Sequence, residues 1–240
     1  MRRAGTVWLV CVALASPALA EPQTQTYTID GHDVFRISGR NLRSAIAYTG
    51  VERLKIQRLP GATRFEATAT YDRDDGTQHG RSTASFGATM TPAGDMRDEV
   101  DRDPDYLTVL NQPFSVQLDP ATMRDLHGLR GAVPFDFPSP MTGAVLHGSL
   151  RRLPDGTLHG VRVLGVAFAA RGPLNGALPD RPDMALGGTI VMIGTAYYAY
   201  SDALLLALDA TLQIDGNVTN TGSNDTVSIV YKRTIRPVPR

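Results

Sequence analysis

The chain is expected to be all-β: mainly antiparallel hairpins in a curved sheet, closing toward a half-barrel or a sandwich, with one short helix near residues 120–127. Three observations carry that expectation. Apolar and polar residues alternate with period two over long runs, the spacing of half-buried strands. Asp-Gly pairs, favoured in tight hairpin turns, stand between such runs. Residues 188–200 are apolar on both faces, as in a strand covered on both sides.

The first twenty residues read as a cleavable export signal. Arg2 and Arg3 supply a positive start, residues 7–14 an apolar stretch, and Ala18 and Ala20 flank Leu19 as an A-x-A cleavage site. Cleavage before Glu21 removes Cys11 and Trp8, the chain's one Cys and one Trp. Residues 21–240 are then expected to form a single cysteine-free β domain, periplasmic or extracellular. The apolar stretch is well short of the ~20 residues a spanning helix needs, so no integral membrane segment is expected in the mature chain. Without a thiol, disulfides, thiolate zinc sites and a cysteine nucleophile are excluded.

In residues 63–72, Phe65, Ala67, Ala69 and Tyr71 alternate with Arg64, Glu66, Thr68 and Thr70. Asp75 and Gly76 follow. As a two-residue turn they would set Tyr71 opposite Gly80, Ala67 opposite Ala84 and Phe65 opposite Phe86, with His79 facing Asp72. The acidic residues Asp95, Asp98, Glu99, Asp101, Asp103 and Asp105 are interleaved with Arg97 and Arg102. That run lacks EF-hand spacing, and a charged strand edge accounts for it.

Asp119 as N-cap, Pro120 in the first turn and Gly128 as stop define the short helix. The prolines of 133–140 (VPFDFPSP) forbid a central strand. This segment is expected to be a crossing loop, or a subdomain boundary. A second two-residue turn at Asp155 and Gly156 would pair Leu150 with Val161, Gly148 with Val163 and Leu146 with Gly165. Both turns lie in a DGTxHG string, but the faces of the two hairpins do not correspond, which argues for convergent turn chemistry over duplication.

Residues 203–214 alternate through Leu204, Leu206, Leu208, Ala210, Leu212 and Ile214, which predicts a strand. The loop 216–225 and a last strand through Val227, Ile229, Tyr231 and Ile235 complete the chain.

Candidate chemistry is thin. His32, His79, His127, His147 and His159 show no metal-ligand spacing, and no nucleophile motif accompanies them. No catalytic residue, metal ligand or cofactor is assigned. The 24 basic and 24 acidic residues balance, and loss of Arg2 and Arg3 leaves the mature chain acidic by about 2, so nucleic acid is not the expected partner. Aromatic and apolar side chains are the better candidates. Phe135, Phe137, Tyr198, Tyr200, Leu204 and Leu206 are expected to line a ligand site of the usual mostly apolar kind.

A signal peptide, serial hairpins, a short helix and a Pro-rich crossing segment together resemble the half-barrel proteins of the bacterial envelope, such as lipoprotein carriers of the LolA and LolB type. The resemblance spans most of residues 23–236 and implies a curved sheet whose concave face shelters acyl chains. The expected function is an exported, non-catalytic binding or envelope-interaction protein, its partner an apolar small molecule or another envelope protein. The alternatives are a carrier of a lipid-like ligand and a carboxylate-dependent hydrolase.

Overall fold

The computed structural model describes residues 21–38, 42–91, 96–101, 120–138, 144–178, 181–220 and 223–238. The expected export signal at residues 1–20, the expected N-cap Asp119 and the acidic residues Asp95, Asp103 and Asp105 lie outside them. Among the described residues, twelve strands form one open, curved antiparallel sheet. They are β1 (Gln23–Ile37), β2 (Leu42–Leu59), β3 (Ala62–Asp74), β4 (His79–Met90), β5 (Met96–Asp101), β6 (Ala132–Pro138), β7 (Val145–Arg152), β8 (Gly156–Leu158), β9 (Val161–Leu178), β10 (Arg181–Ala199), β11 (Leu205–Asn220) and β12 (Ser223–Pro237). Helix α1 (Pro120–Gly128), the one α-helix among the described residues, lies between β5 and β6.

Strand order is β5-β4-β3-β2-β1-β12-β11-β10-β9-β7-β6, with β8 paired to β9. Two meanders thus meet where the first strand pairs with the last, with Ile29 opposite Ile235 and Asp33 opposite Tyr231. Alternation then sets which side chains share a face. The core face carries Tyr27 and Ile29, Leu54 and Ile56, Phe65, Ala69 and Tyr71, Phe168, Ile190 and Met192, and Leu208, Leu212 and Ile214, all buried. Each fully buried large apolar side chain stabilises the fold by roughly 1.5–3 kcal/mol. At Gly188, opposite Gly216, an added Cβ would stand 2.6 Å from the Gly216 Cα. Glycine there permits the close approach of β10 and β11.

The β3–β4 hairpin forms, but with a four-residue loop and a different register. Tyr71 pairs with Ser82, Ala67 with Phe86 and Phe65 with Ala88. Asp75 Oδ1 accepts from the Thr77 N–H at 2.8 Å, the Gln78 N–H at 2.7 Å and the Thr77 hydroxyl at 2.6 Å. These bonds hold Asp75 as the loop's hinge and favour its ionised form, so its pKa is lowered. The register moved by two residues, which leaves every side chain on its expected face. His79 consequently faces Asp74, with Nδ1 3.6 Å from Oδ2, and Asp72 faces Arg81.

The second expected hairpin is corrected more sharply. Leu150 pairs with Phe168 and Gly148 with Ala170. The tight turn is instead His159 and Gly160, with φ of 49° and 79°, closing β8 onto β9. Positive φ at both central residues is the requirement of a type I′ turn. Asp155 and Gly156 lie ahead of it, and the two DGTxHG strings do different structural work.

The 133–140 segment is not a crossing loop. Residues 132–138 form edge strand β6, paired with β7, and an edge is where Pro134 and Pro138 can be accommodated. The opposite edge, β5, is broken by a bulge. Its pairing passes from Thr89 with Arg97 to Gly87 with Val100, and Asp98 adopts φ of 54°. Both edges are thereby blunted against strand addition. The expected loop 216–225 is also largely strand, because β11 runs to Asn220 and β12 begins at Ser223.

Candidate functional site

Helix α1 builds one wall of a cleft at the end of the sheet. Met123 and Leu126, one turn apart, bury its apolar side, while Arg124 and His127 stay exposed. The β10–β11 turn supplies the facing wall. Ala199 N–H donates to the Leu204 carbonyl at 2.8 Å, Ala203 N–H to the Ala199 carbonyl at 2.9 Å, and Leu204 N–H to Asp202 Oδ1 at 3.1 Å. Gln23 at the start of β1 and Arg58 near the end of β2 complete the lining with Tyr200, Ser201, Asp202 and Ala203. The cleft measures about 530 Å³, within the range of small-molecule sites.

Its chemistry is two-sided. Met123, Ala203 and the Tyr200 ring give an apolar floor, Arg58 and Arg124 line the cleft beside it, and Arg152 and Arg162 brace the Tyr200 wall. Arg58 Nη2 donates to the Asp202 carbonyl at 3.3 Å. Arg152 donates through Nη1 to the His127 carbonyl at 3.0 Å and pairs through Nη2 with Asp155. The Tyr200 hydroxyl donates to Asp155 Oδ1 at 3.1 Å, and the Arg162 guanidinium stacks 4.7 Å from the Tyr200 ring centre. Arg162 also reaches Asp155 Oδ2 at 3.2 Å, and the His127 ring meets Tyr200 edge-on at 5.7 Å. Hydrogen bonds from Arg152 first and Arg162 second hold the Asp155 carboxyl below its ordinary range. The Tyr200 ring is thus fixed from three sides before any ligand arrives.

Of the residues expected to line a site, Tyr200 lines this cleft. Tyr198 is buried, and desolvation raises its pKa; Leu204 is buried within the turn. Leu206 leaves the expected face. Tyr197 pairs with Ala207 but Tyr198 with Leu205, so a bulge at Leu206 puts Leu205 beside Leu208 on the core face. Phe135 is far along the sheet order on edge strand β6, 45% exposed, and Phe137 pairs there through its backbone with Leu146. Among the described side chains, the structure brings Tyr200 to this cleft and places Phe135, Tyr198, Leu204 and Leu206 outside its lining.

The arginines were not foreseen. Arg58, Arg124, Arg152 and Arg162 come from four separate elements, and no local spacing signals their meeting.

A second cleft of about 620 Å³ is lined by Tyr48, Asp72, Arg73, Asp74, His79 and Arg81. Asp72 and Asp74 stand about 7 Å apart along one strand, a separation that carboxylate-dependent hydrolysis could use. Each is about half-exposed or more and faces a basic side chain, Arg81 at 3.8 Å and His79 at 3.6 Å.

No protein-family model matches the chain, and no curated protein matches it. Solved structures similar to it include DynF from the dynemicin biosynthesis pathway of Micromonospora chersina, 11% identical with TM-score 0.29 over 100% of this chain and 94% of that one. A DUF1329 family protein from Desulfovibrio piger is 9% identical, TM-score 0.16, over 89% and 86%. A domain described as outer-membrane lipoprotein-sorting, from Vibrio parahaemolyticus, is 10% identical, TM-score 0.14, over 89% and 85%. Likenesses at these TM-scores carry no argument about function.

Proposed function

We propose that this protein is an exported, non-catalytic binding protein whose ligand site is the cleft between α1 and the β10–β11 turn. The observation that carries the reading is the apolar floor of Met123, Ala203 and Tyr200 beneath side chains already held by one another. Preorganised groups lose little further entropy when a ligand binds. The export signal at residues 1–20 supplies the compartment.

A long acyl trough along the core face is the less favoured alternative. Leu208, Leu212 and Ile214, the side chains that would wall it, are between 0 and 4% exposed. The α1 cleft adds the exposed Arg124, His127, Ser201 and Asp202 and the half-buried Tyr200 to its buried Met123 and Ala203.

The test is fluorescence titration of the exported protein with N-phenyl-1-naphthylamine, a neutral apolar probe. The expected result is saturable enhancement at one probe per chain, with Kd near micromolar, about −8 kcal/mol. Ser201→Trp, which puts an indole into the cleft, should abolish it. Absence of saturable binding, or binding that Ser201→Trp leaves intact, would overturn the proposal.

A further inference from the structure

We infer that the α1 cleft selects organic anions, its ligand being an amphiphile with one acidic headgroup and a compact apolar body. This deepens, and rests on, the proposed ligand site. The charge inventory is lopsided. Among the described residues that line the cleft, Arg58 and Arg124 stand against Asp202, while Arg152 and Arg162 pair with Asp155 behind the Tyr200 wall. Both carboxylates are committed: Asp155 to Arg152, Arg162 and Tyr200, and Asp202 Oδ1 to the Leu204 N–H at 3.1 Å.

The end of α1 reinforces the balance. Unpaired carbonyls at a helix C-terminus carry partial negative charge and would repel an anion. Here Arg152 Nη1 donates to the His127 carbonyl at 3.0 Å, and the Leu129 N–H donates to the Leu126 carbonyl at 3.2 Å. The terminus is capped by a cation on the side that faces Tyr200. Arg124, on the exposed side of α1, then presents its guanidinium at the rim, and Arg58, anchored on the Asp202 carbonyl with its Nη1 closed to solvent, lines the cleft. Guanidinium forks match carboxylate, sulfonate and phosphate oxygens, and a low-dielectric floor focuses their field.

The ligand's apolar part is bounded by the floor. Met123 and Ala203 are buried side chains that touch the cleft, and the Tyr200 ring is held edge-on by His127. A flat ring system or short alkyl chain fits that surface; a bare inorganic anion would leave it uncovered.

Two probes of the same skeleton separate the inference from the reading beneath it. 8-Anilinonaphthalene-1-sulfonate is N-phenyl-1-naphthylamine with a sulfonate added. The anion is expected to bind at least about tenfold more tightly, with affinity falling as salt rises because exposed charges are screened. Arg124→Glu, on the exposed side of α1, should weaken the sulfonate probe about tenfold more than it weakens the neutral one; Arg58→Gln should act in the same direction. Displacement of the sulfonate probe by decanoate would identify a carboxylate ligand, and displacement by decyl phosphate a phosphate monoester, either result supporting the inference.

Equal binding of the two probes, insensitive to salt and to Arg124→Glu, would overturn anion selection while leaving the binding site standing. Displacement by decanol as readily as by the charged chains would do the same. If neither probe binds, the proposed site itself falls and the inference with it.

Discussion

Arg233 on β12 reaches across Gly31 on β1 to form a two-pronged ion pair with Asp33, and both side chains are almost closed to solvent, at 2% and 1% exposure. Arg233 lies diagonal to Asp33, and Gly31, directly opposite, leaves the space it crosses. The Tyr48 and Tyr231 rings flank the guanidinium, at 5.1 and 5.9 Å. Burial, and next the Asp33 charge, raise the Tyr48 pKa well above the ordinary tyrosine range. The pair sits on the seam that joins the two meanders. Its two ends belong to the first and last strands, so it ties the register of that seam to charge as well as to packing.

Breaking the pair on one side leaves a buried charge without its partner. Asp33→Ala or Arg233→Ala is expected to destabilise the protein by about 3–5 kcal/mol. The double replacement Asp33→Leu with Arg233→Met should cost much less than the two single losses summed. Urea unfolding midpoints of the four proteins provide the check.

Gly31→Ala should disturb the same pair from the opposite side. Its Cβ would stand 2.9 Å from Arg233 Nη1 and 3.2 Å from Cζ, an overpacking expected to cost about 1–3 kcal/mol. In an Arg233→Met background the flexible thioether can give way. The penalty of Gly31→Ala should shrink there, and a double-mutant cycle measures the difference.

Tyr200→Phe tests which part of the cleft wall matters for binding. It removes the hydroxyl that donates to Asp155 at 3.1 Å but keeps the ring under Arg162. A stability loss of about 0.5–1.5 kcal/mol is expected from one hydrogen bond. Affinity for N-phenyl-1-naphthylamine should change less than about twofold, as titration will show.

The Asp155 network should also report pH. Its folded pKa is depressed, chiefly by the Arg152 hydrogen bond, so its contribution is fully present above the unfolded carboxylate value of about 3.9 and is lost as pH falls through the folded one. Probe affinity and stability should therefore show no Asp155-dependent change between pH 7 and 5, and Asp155→Asn should flatten the acid limb of the unfolding curve below about pH 4.

How much of this could be read from the sequence depended on range. Alternation in 63–72 placed Phe65, Ala67, Ala69 and Tyr71 on the buried face, and Pro134 and Pro138 excluded a central strand, because those rules act over a few residues. Register was less legible. A two-residue shift of β3 against β4 leaves every face unchanged, so matching faces could not reveal that Asp75 closes a longer loop. In 155–160 two turn signals compete, Asp155-Gly156 and His159-Gly160, and the second won. The bulge at Leu206 left no mark on the alternation of leucines, and the arginines around Tyr200 meet only through the fold. Tyr200 was the expected site residue that the cleft retained.

The central claim, that ligand binds between α1 and the β10–β11 turn, is tested most directly by mapping amide chemical shifts of the protein during titration with N-phenyl-1-naphthylamine. The predicted result is saturable shifts concentrated at Met123, Arg124, His127 and residues 200–203, with the core strands β1 and β12 unmoved. Shifts centred instead on Phe135 and β6, or spread along the core face through Leu208 and Leu212, would contradict it.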